Sequence, residues 1–330
     1  MQIFTSTSEL FIPALADKPI TPTNAQIRRQ TPYGSSFVKP QSLDGATIFS
    51  QKSGSIIREY IFTDSENAYT SQSISSLSSH LITDPIQLSI LRGSLNRPES
   101  YAFVLNTDGT LALFTSDRAR QRAGWSQWTT QGQFSSTCVV DDRLFIIGKY
   151  NTGAGTNKLI LMEMDADKNL DFSSTFSGTA GVFDVSSHFA NGAEVDVISN
   201  NNYLGKFTVG SGNVDVSAVE KIISAEIGFS YNVEAETNPI DANVGGGPLT
   251  GEPRSVNKVI LDLLDTLSVS VNDKNLIIRQ VTDDLSLART PVTGKEEFRL
   301  IGYSKDPTVK IKQSAPLSLQ VNGIVAEVSF

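Results

Sequence analysis

The feature that most constrains this chain is its punctuation. β-Branched and aromatic runs such as "MQIFTSTSELFI", "ATIFSQKSGSIIREYIF", "SYAFVLNTDGTLALFTS" and "DDRLFIIGKYNTGAGTNKLILMEMD" are broken at short intervals by Gly, Asn, Asp or Ser. Such runs form strands, and the breaks supply turns. The last three read as hairpins. Asp108-Gly109 and Ser53-Gly54 each bring a residue that tolerates positive φ, and residues 151–157 form a longer Gly-rich tip. An all-β fold follows.

Other classes are excluded by composition. Hydrophobic residues are 39% and charged residues 19% of the 330, too apolar for a disordered chain and too poor in charge for a long coiled coil. The longest apolar runs, "LFII" among them, fall far short of a bilayer span, and "MQIFTSTSELF" lacks the charged start and long apolar stretch of a signal peptide, so a soluble chain made in a cytoplasm is expected. A single cysteine, Cys138, allows no internal disulfide, and two histidines, His80 and His188, nearly exclude a Cys/His zinc site. Charge is uneven: residues 1–165 carry 14 basic and 14 acidic residues, residues 166–330 carry 13 and 21. Within residues 184–241 nine acids face only Lys206 and Lys221, a balance that repels nucleic-acid phosphates.

Phe4, Phe49, Phe103 and Phe145 recur at spacings of 45, 54 and 42, near the period of propeller blades. One helix is expected over residues 73–81, where Ile74, Leu77 and Leu81 share a helical face, Thr70 or Ser71 is placed to cap and Pro85 prevents extension. From Gly178 the pattern shifts to short strands, "AEVDVIS", "YLGKFTVG", "NVDVS" and "IISAEIGFSY", separated by Asn200-Asn201-Asn202 and Gly210-Ser211-Gly212. "TNPIDANVGGGPLTGEPRS" reads as a flexible loop, and "VNKVILDLLDTLSVSV", "NLIIRQV", "FRLIGYS", "TVKIKQ" and "LSLQVNGIVAEVSF" as closing strands. The expected organisation is a propeller-like β region over 1–170, a small acidic β-sandwich or barrel over 171–240, and a Gly/Pro loop with strands returning to the body over 241–330.

Candidate chemistry is sparse. Asp165, Asp167, Asn169 and Asp171 alternate as oxygen ligands do in an EF-hand, but position six is Leu170, position twelve is Phe176 and no helix flanks them, so a polar turn is expected. Gly153-Ala154-Gly155 and Gly245-Gly246-Gly247 lack the following helix a phosphate loop needs. His80 and His188 have no Gly-x-Ser-x-Gly partner and read as structural or solvent-facing. Asp141/Asp142, Asp283/Asp284 and Glu296/Glu297 are neighbours that point to opposite faces of a strand, unlike the facing pair of a glycosidase. Arg118, Arg120 and Arg122, followed by Trp125 and Trp128, form a basic-aromatic cluster suited to a solvated loop before packed tryptophans, to phosphate or carbohydrate, or to a subunit interface. No catalytic, cofactor or metal residue is assigned.

Several phrases in order resemble the tail nozzle, or tail-tubular protein B-like, family of short-tailed bacteriophages. They are "FTSTSELFI" at 4–12, "QTPYGSSFVKP" at 30–40, "IFSQKSGSIIREY" at 48–60, "AYTSQSISSLSSHLI" at 68–82, "DGTLALFTSDRARQRAGWSQWTTQGQF" at 108–134, "IGFSY" at 227–231 and "APLSLQVNGIVAEVSF" at 315–330. A "DGTL" hairpin, a "GW" and a "T-x-G" recur together in that family, and Gly124, Trp125, Thr130 and Gly132 hold the last two places here. The resemblance implies a propeller-like body with an inserted small β domain, no catalytic residues, and a homohexameric ring in the virion tail that continues the DNA exit channel. Its implied partners are the portal-adaptor protein, fibre or spike proteins and phage DNA passing without sequence-specific contacts. Members of the family are usually longer. A receptor- or carbohydrate-binding tail module contacting the host envelope is the alternative expectation, and a depolymerase-type hydrolase a third.

Overall fold

The computed structural model describes the chain apart from residues 14–18, 95–96, 152–156, 241–242, 245–246, 249–250, 280–286 and 330. It is nearly all β, in several small antiparallel sheets, and falls into two compact units that divide near residue 165.

The first unit holds four sheets in chain order. The first joins Gln2–Phe4, Glu9–Phe11 and Arg28–Thr31; the second joins Gln41–Leu43, Ala46–Ser50, Ile57–Thr63 and Ala68–Ser73. The third runs through Pro85–Leu91, Ser100–Asn106, Leu111–Asp117 and Arg122–Trp128, and the fourth through Gln133–Val140, Arg143–Asn151 and Asn157–Glu163. Each is an up-and-down meander.

The pleat decides how these sheets stack, because successive side chains point to opposite faces. In the second sheet Phe49, Tyr60 and Tyr69 point to the first sheet, where the Phe4 ring lies 5.0 Å from Phe49 and Phe11 lies 4.7 Å from Tyr69. The opposite face, with Leu43, Ile48 and Ile57, meets Leu88, Val104 and Phe114 of the third sheet. The other face of the third sheet, with Leu91, Phe103, Leu105 and Leu113, closes on Phe134, Leu144 and Ile146 of the fourth. Three packed layers thus link four sheets, the first aromatic and polar, the other two apolar. Phe4, Phe49, Phe103 and Phe145 fall one in each sheet, although they point to different neighbours.

The expected helix over residues 73–81 is corrected. Ala68–Ser73 is a strand, so Thr70 and Ser71 cap nothing, and only Ser76–Leu81 winds, as a 3-10 turn. Its tighter pitch explains why the apolar face fails: Ile74 and Leu81 pack on the core while Leu77 turns outward, 94% exposed. Pro85 opens the next strand.

Residues 171–229 fold with an internal two-fold likeness that the sequence reading missed. Asp171–Ser177, Val182–Asp184 and Glu194–Ser199 are repeated, about 31 positions later, by Asn202–Thr208, Asn213–Asp215 and Ser224–Phe229. The central strands pair with each other, as do the two short ones, and the outer strands flank them in the order first, sixth, third, fourth. Val185 N donates to Gly212 O at 2.9 Å and Val216 N to Gly181 O at 2.8 Å, the same bond made twice. "F-D-V-S" at 183–186 and "V-D-V-S" at 214–217 are its signature in the chain.

Two-residue hairpin turns with both φ positive occur at Asp44-Gly45, Asp141-Asp142, Ala180-Gly181, Asn200-Asn201, Ser211-Gly212 and Asn272-Asp273. This turn matches the right-handed strand twist, and Asp and Asn bear it with less strain than other side chains. Asp141 and Asp142 are therefore turn residues.

The closing strands differ from expectation. Ser255–Thr266 is central, between Val292–Arg299 and Val321–Ser329, while Lys310–Lys312 pairs with Glu234–Glu236 and Ser270–Val271. "FRLIGYS" is a strand only to Arg299, because Phe298 is buried opposite Val259 whereas Ile301 and Tyr303 are exposed. Within the expected flexible loop, Asn243–Val244 pairs with Gly247–Pro248. Arg254, 2% exposed, donates to Ile240 O at 2.8 Å and Lys305 O at 2.6 Å, fixing that loop's end.

The face assignment predicts unequal costs for two similar phenylalanines. Phe103→Ala opens a cavity in a dry layer and should cost about 3–5 kcal/mol. Phe145→Ala, on the outward face of the fourth sheet, should cost about 1 kcal/mol in the monomer. Urea unfolding of both variants checks this.

Candidate functional site

The sequence candidates do not converge. Among the described residues no group of three or more His, Cys, Asp or Glu is placed to hold a metal ion. The alternating acids at 165–171 lie in a turn leading into Asp171–Ser177, and that turn is anchored from elsewhere: Asn169 N, Leu170 N and Ser173 Oγ all donate to Glu226 Oε1 at 2.9 Å. Gly153-Ala154-Gly155, Gly245, Gly246 and Asp283/Asp284 lie outside the described residues. Glu296 and Glu297 do take opposite faces, and Glu297 lies 3.0 Å from the Arg299 guanidinium.

His80 is exposed at the end of the 3-10 turn. His188 packs edge-on to Phe176 with ring centroids 5.0 Å apart, and its two ring nitrogens meet Ser174 Oγ at 3.2 Å and Ser187 Oγ at 2.8 Å. A hydroxyl next to an imidazole is half of a nucleophile pair, but here both ring nitrogens meet hydroxyls, of Ser174 and Ser187, and neither meets the carboxylate that orients the imidazole of a triad.

The basic-aromatic cluster divides between pairing and packing. Arg118 contacts Glu59, and Arg120 Nη1 lies 2.8 Å from Asp117, whose carboxyl is held below the usual carboxylate range chiefly by that hydrogen bond. Trp125 donates from Nε1 to Ile74 O at 2.7 Å and its ring lies 5.0 Å from Phe114; Trp128 lies 5.6 Å from Phe103. Arg122 stays exposed on the sheet's edge strand. The "DGTL" and "T-x-G" phrases meet at the seam between the third and fourth sheets: a Cβ on Gly109 would stand 2.7 Å from Gln133 Cβ, and one on Gly132 would stand 1.9 Å from Lys149 O. Nothing crowds Gly124.

A facing pair of carboxylates does exist, and adjacency in the chain could not have revealed it. Asp196 and Glu226 occupy equivalent positions of the two central strands in the two-fold module, and the register puts both on one face: Asp196 pairs with Gly228 and Ile198 with Glu226. Each acts as a clamp. Asp196, 1% exposed, accepts from Tyr203 O–H at 2.6 Å and Ser230 N at 3.0 Å, while Glu226 holds the turn at 169–173. Burial, with the bond to Asp196, pushes the Tyr203 phenol well above its ordinary value. Acid/base chemistry requires carboxyl oxygens that reach substrate, and both oxygens of Asp196 are committed to the fold. The signal that finds this pair is the internal repeat, whose offset is 30 positions at these two strands.

The first unit also buries Glu9, fully enclosed: Oε2 accepts from Thr31 Oγ1 at 2.5 Å and Tyr33 N at 3.3 Å. Tyr60 beside it is raised in pKa, first by burial and then by Tyr69 and Glu9. In the second unit a cleft of about 390 Å³ is lined by Leu267, Ser268, Leu276, Ile278, Arg279 and Arg289, among others. Arg279 is already bonded to Leu287 O, and Asn201 donates to Arg289 O at 3.4 Å. Among the described residues no helix is long and apolar enough to cross a membrane.

Neither a protein-family model nor a curated protein matches the chain.

Two outcomes follow from this geometry. Asp196→Ala strands Tyr203 and Ser230 N and should cost about 2–3 kcal/mol, with Glu226→Ala near about 2 kcal/mol, in denaturant melts. Asp184 and Asp215, held below the usual carboxylate range by the hydroxyl and then the backbone N–H of Ser186 and of Ser217, add stability above the ordinary aspartate pKa that is lost as pH falls through their lowered values. Thermal melts from neutral pH to about pH 3 should therefore fall less steeply in the Asp184→Asn/Asp215→Asn double variant than in the parent.

Proposed function

We propose that the protein is a structural component of a short-tailed phage virion, a tail nozzle whose copies form a ring around the DNA exit channel. The observation that carries this reading is the run of four small up-and-down sheets, in chain order and stacked face to face, which is how the blades of a propeller-like body follow one another. The phrases that resemble those of nozzle proteins support it, since Gly109 of "DGTL" lies against Gln133 of the fourth sheet and Gly132 of "T-x-G" against Lys149, both too closely for larger residues. The small two-fold β module at 171–229 also supports it, because the resemblance implies a small β domain inserted in the body.

The mechanism is conduction. DNA leaving a capsid must slide without sticking, so a bore wall avoids Lys/Arg phosphate contacts, and an acidic half lining it repels the duplex toward the axis. Copies of the ring would bind the portal-adaptor above and fibres or spikes at the side. No catalytic residue, cofactor or metal takes part in this reading.

A receptor-binding tail module is the second reading, favoured by the exposed Phe37, Ile301 and Tyr303. Mass measurement of the purified chain, with electron microscopy of virions, decides between them. Axial rings of six support the nozzle; trimers at the tail periphery support the receptor module and sink the nozzle. Turnover of host polysaccharide by the purified chain would overturn both.

A further inference from the structure

The stack of sheets in the first unit ends, at the fourth sheet, on an exposed apolar face. The face of the fourth sheet turned away from the third carries Val140, Phe145, Ile147, Leu159 and Leu161, with Cys138 among them, as the register Cys138 to Phe145, Val140 to Arg143 and Ile147 to Leu161 requires. Leu159 is 71% and Leu161 68% exposed, and Phe145 and Ile147 are only half-buried. Arg143, in contact with Glu163 and 5.5 Å from the centre of the Phe145 ring, forms a polar rim. An exposed apolar patch with a polar rim marks an interaction surface. At the other end, the face of the first sheet turned away from the second carries half-buried Ile3 and Leu10 beside exposed Arg29, which pairs with Leu10 across the ladder, and exposed Ile27 lies just before the third strand.

We propose that the open face of the fourth sheet seats a second copy of this chain, taking the uncovered face of that copy's first sheet, so that the stacking of sheets continues from chain to chain. The argument is continuity with the three layers already inside the unit. Each joins the later face of one sheet to the earlier face of the next: first to second through Phe4 and Phe49, second to third through Ile48 and Val104, third to fourth through Phe103 and Leu144. The fourth sheet presents a later face, and the first presents an earlier one. Repeating the same step needs a head-to-tail contact rather than a face meeting its own copy, and head-to-tail contacts close into rings when the rotation allows. The proposal deepens the nozzle reading by naming the contact between copies, and it rests on that reading only for closure of the ring.

Cys138, the chain's one cysteine, lies on the proposed contact and serves as a reporter. The full-length chain is purified as parent, as Leu159→Glu/Leu161→Glu and as Leu10→Cys. In the parent assembly Cys138 should be alkylated by N-ethylmaleimide at least tenfold more slowly than in the double-glutamate variant, which should be monomeric with unchanged far-UV circular dichroism and melting temperature. Mild oxidation or a short bismaleimide should join Leu10→Cys to Cys138 between chains, giving a ladder on a denaturing gel, while the parent gives none. Four results would overturn the proposal: assembly that survives the two glutamates with Cys138 still reactive, a Cys138–Cys138 dimer in the parent, a link between positions 10 and 138 within one chain, or Cys138 shielded in the monomer. Rings that persist with a reactive Cys138 leave the nozzle reading standing and remove this contact. Head-to-tail filaments or other ring sizes keep the contact and remove the sixfold nozzle. A chain monomeric at all concentrations ends both.

Discussion

Face-to-face stacking of small sheets is the constraint on which the first unit depends. A small sheet that is apolar on one face must bury that face against another element, and here each sheet finds it in the next sheet. A sheet with neighbours on both sides must be apolar on both, and its strands then lose the alternation of a half-exposed sheet. Ser100–Asn106 shows this, with every residue but Tyr101 buried. Sheets at the ends of the stack can keep one looser face, and Asn157–Glu163 still alternates between exposed Leu159 and Leu161 and half-buried Ile160 and Met162. The sequence of a strand therefore reports its place in the stack as well as its structure.

The second unit solves a different problem by repetition. The paired halves of its module at 171–229 bury Phe183, Val185, Val214 and Val216 on and beside the two short strands, and both halves use the same devices: a two-residue turn, an Asp-x-Ser cap and a carboxylate that accepts hydrogen bonds from a neighbouring edge. A buried Asp is costly unless its oxygens are bonded, and Asp196 meets this condition with a phenol and a backbone N–H. The two-fold arrangement makes one local solution serve twice. It also explains why the outer strands are irregular, since both pairings shift register, between Asp171 and Ser174 and between Val197 and Ile198.

How much of this was legible in the chain depended on whether the signal was local. The all-β class was, and so were Asp108-Gly109, Ser53-Gly54 and Asn200-Asn201 as turns, because the backbone conformation of a tight turn selects its residues directly. The residues over 73–81 were misread, since Ile74, Leu77 and Leu81 fit a helical face by spacing, while Ile74 is in fact held by the Trp125 indole from a strand some fifty residues away. "FRLIGYS" was misread for a similar reason: its apolar residues look like a strand, but only Phe298 has a partner across the ladder. The Asp196 and Glu226 pair was hidden because strand neighbours diverge and facing residues come from distant positions. Its one trace was the repeat of "D-V-S", too short to stand out by composition.

The acidity of the second half acquires a different meaning from these positions. Of the nine acids between residues 184 and 241, Asp184 and Asp215 cap turns, Asp196 and Glu226 clamp strands, and Glu234 and Glu236 face Lys310. The fold thus accounts for most of them without reference to DNA. A capped carboxylate nevertheless keeps its charge, because a hydroxyl or N–H donor neutralises nothing, so the negative potential around this module remains whatever selected the residues. Acidity is then a consequence that a conduit can use rather than a mark that identifies one. The weight of the functional reading accordingly rests on the run of stacked sheets in the first unit rather than on charge.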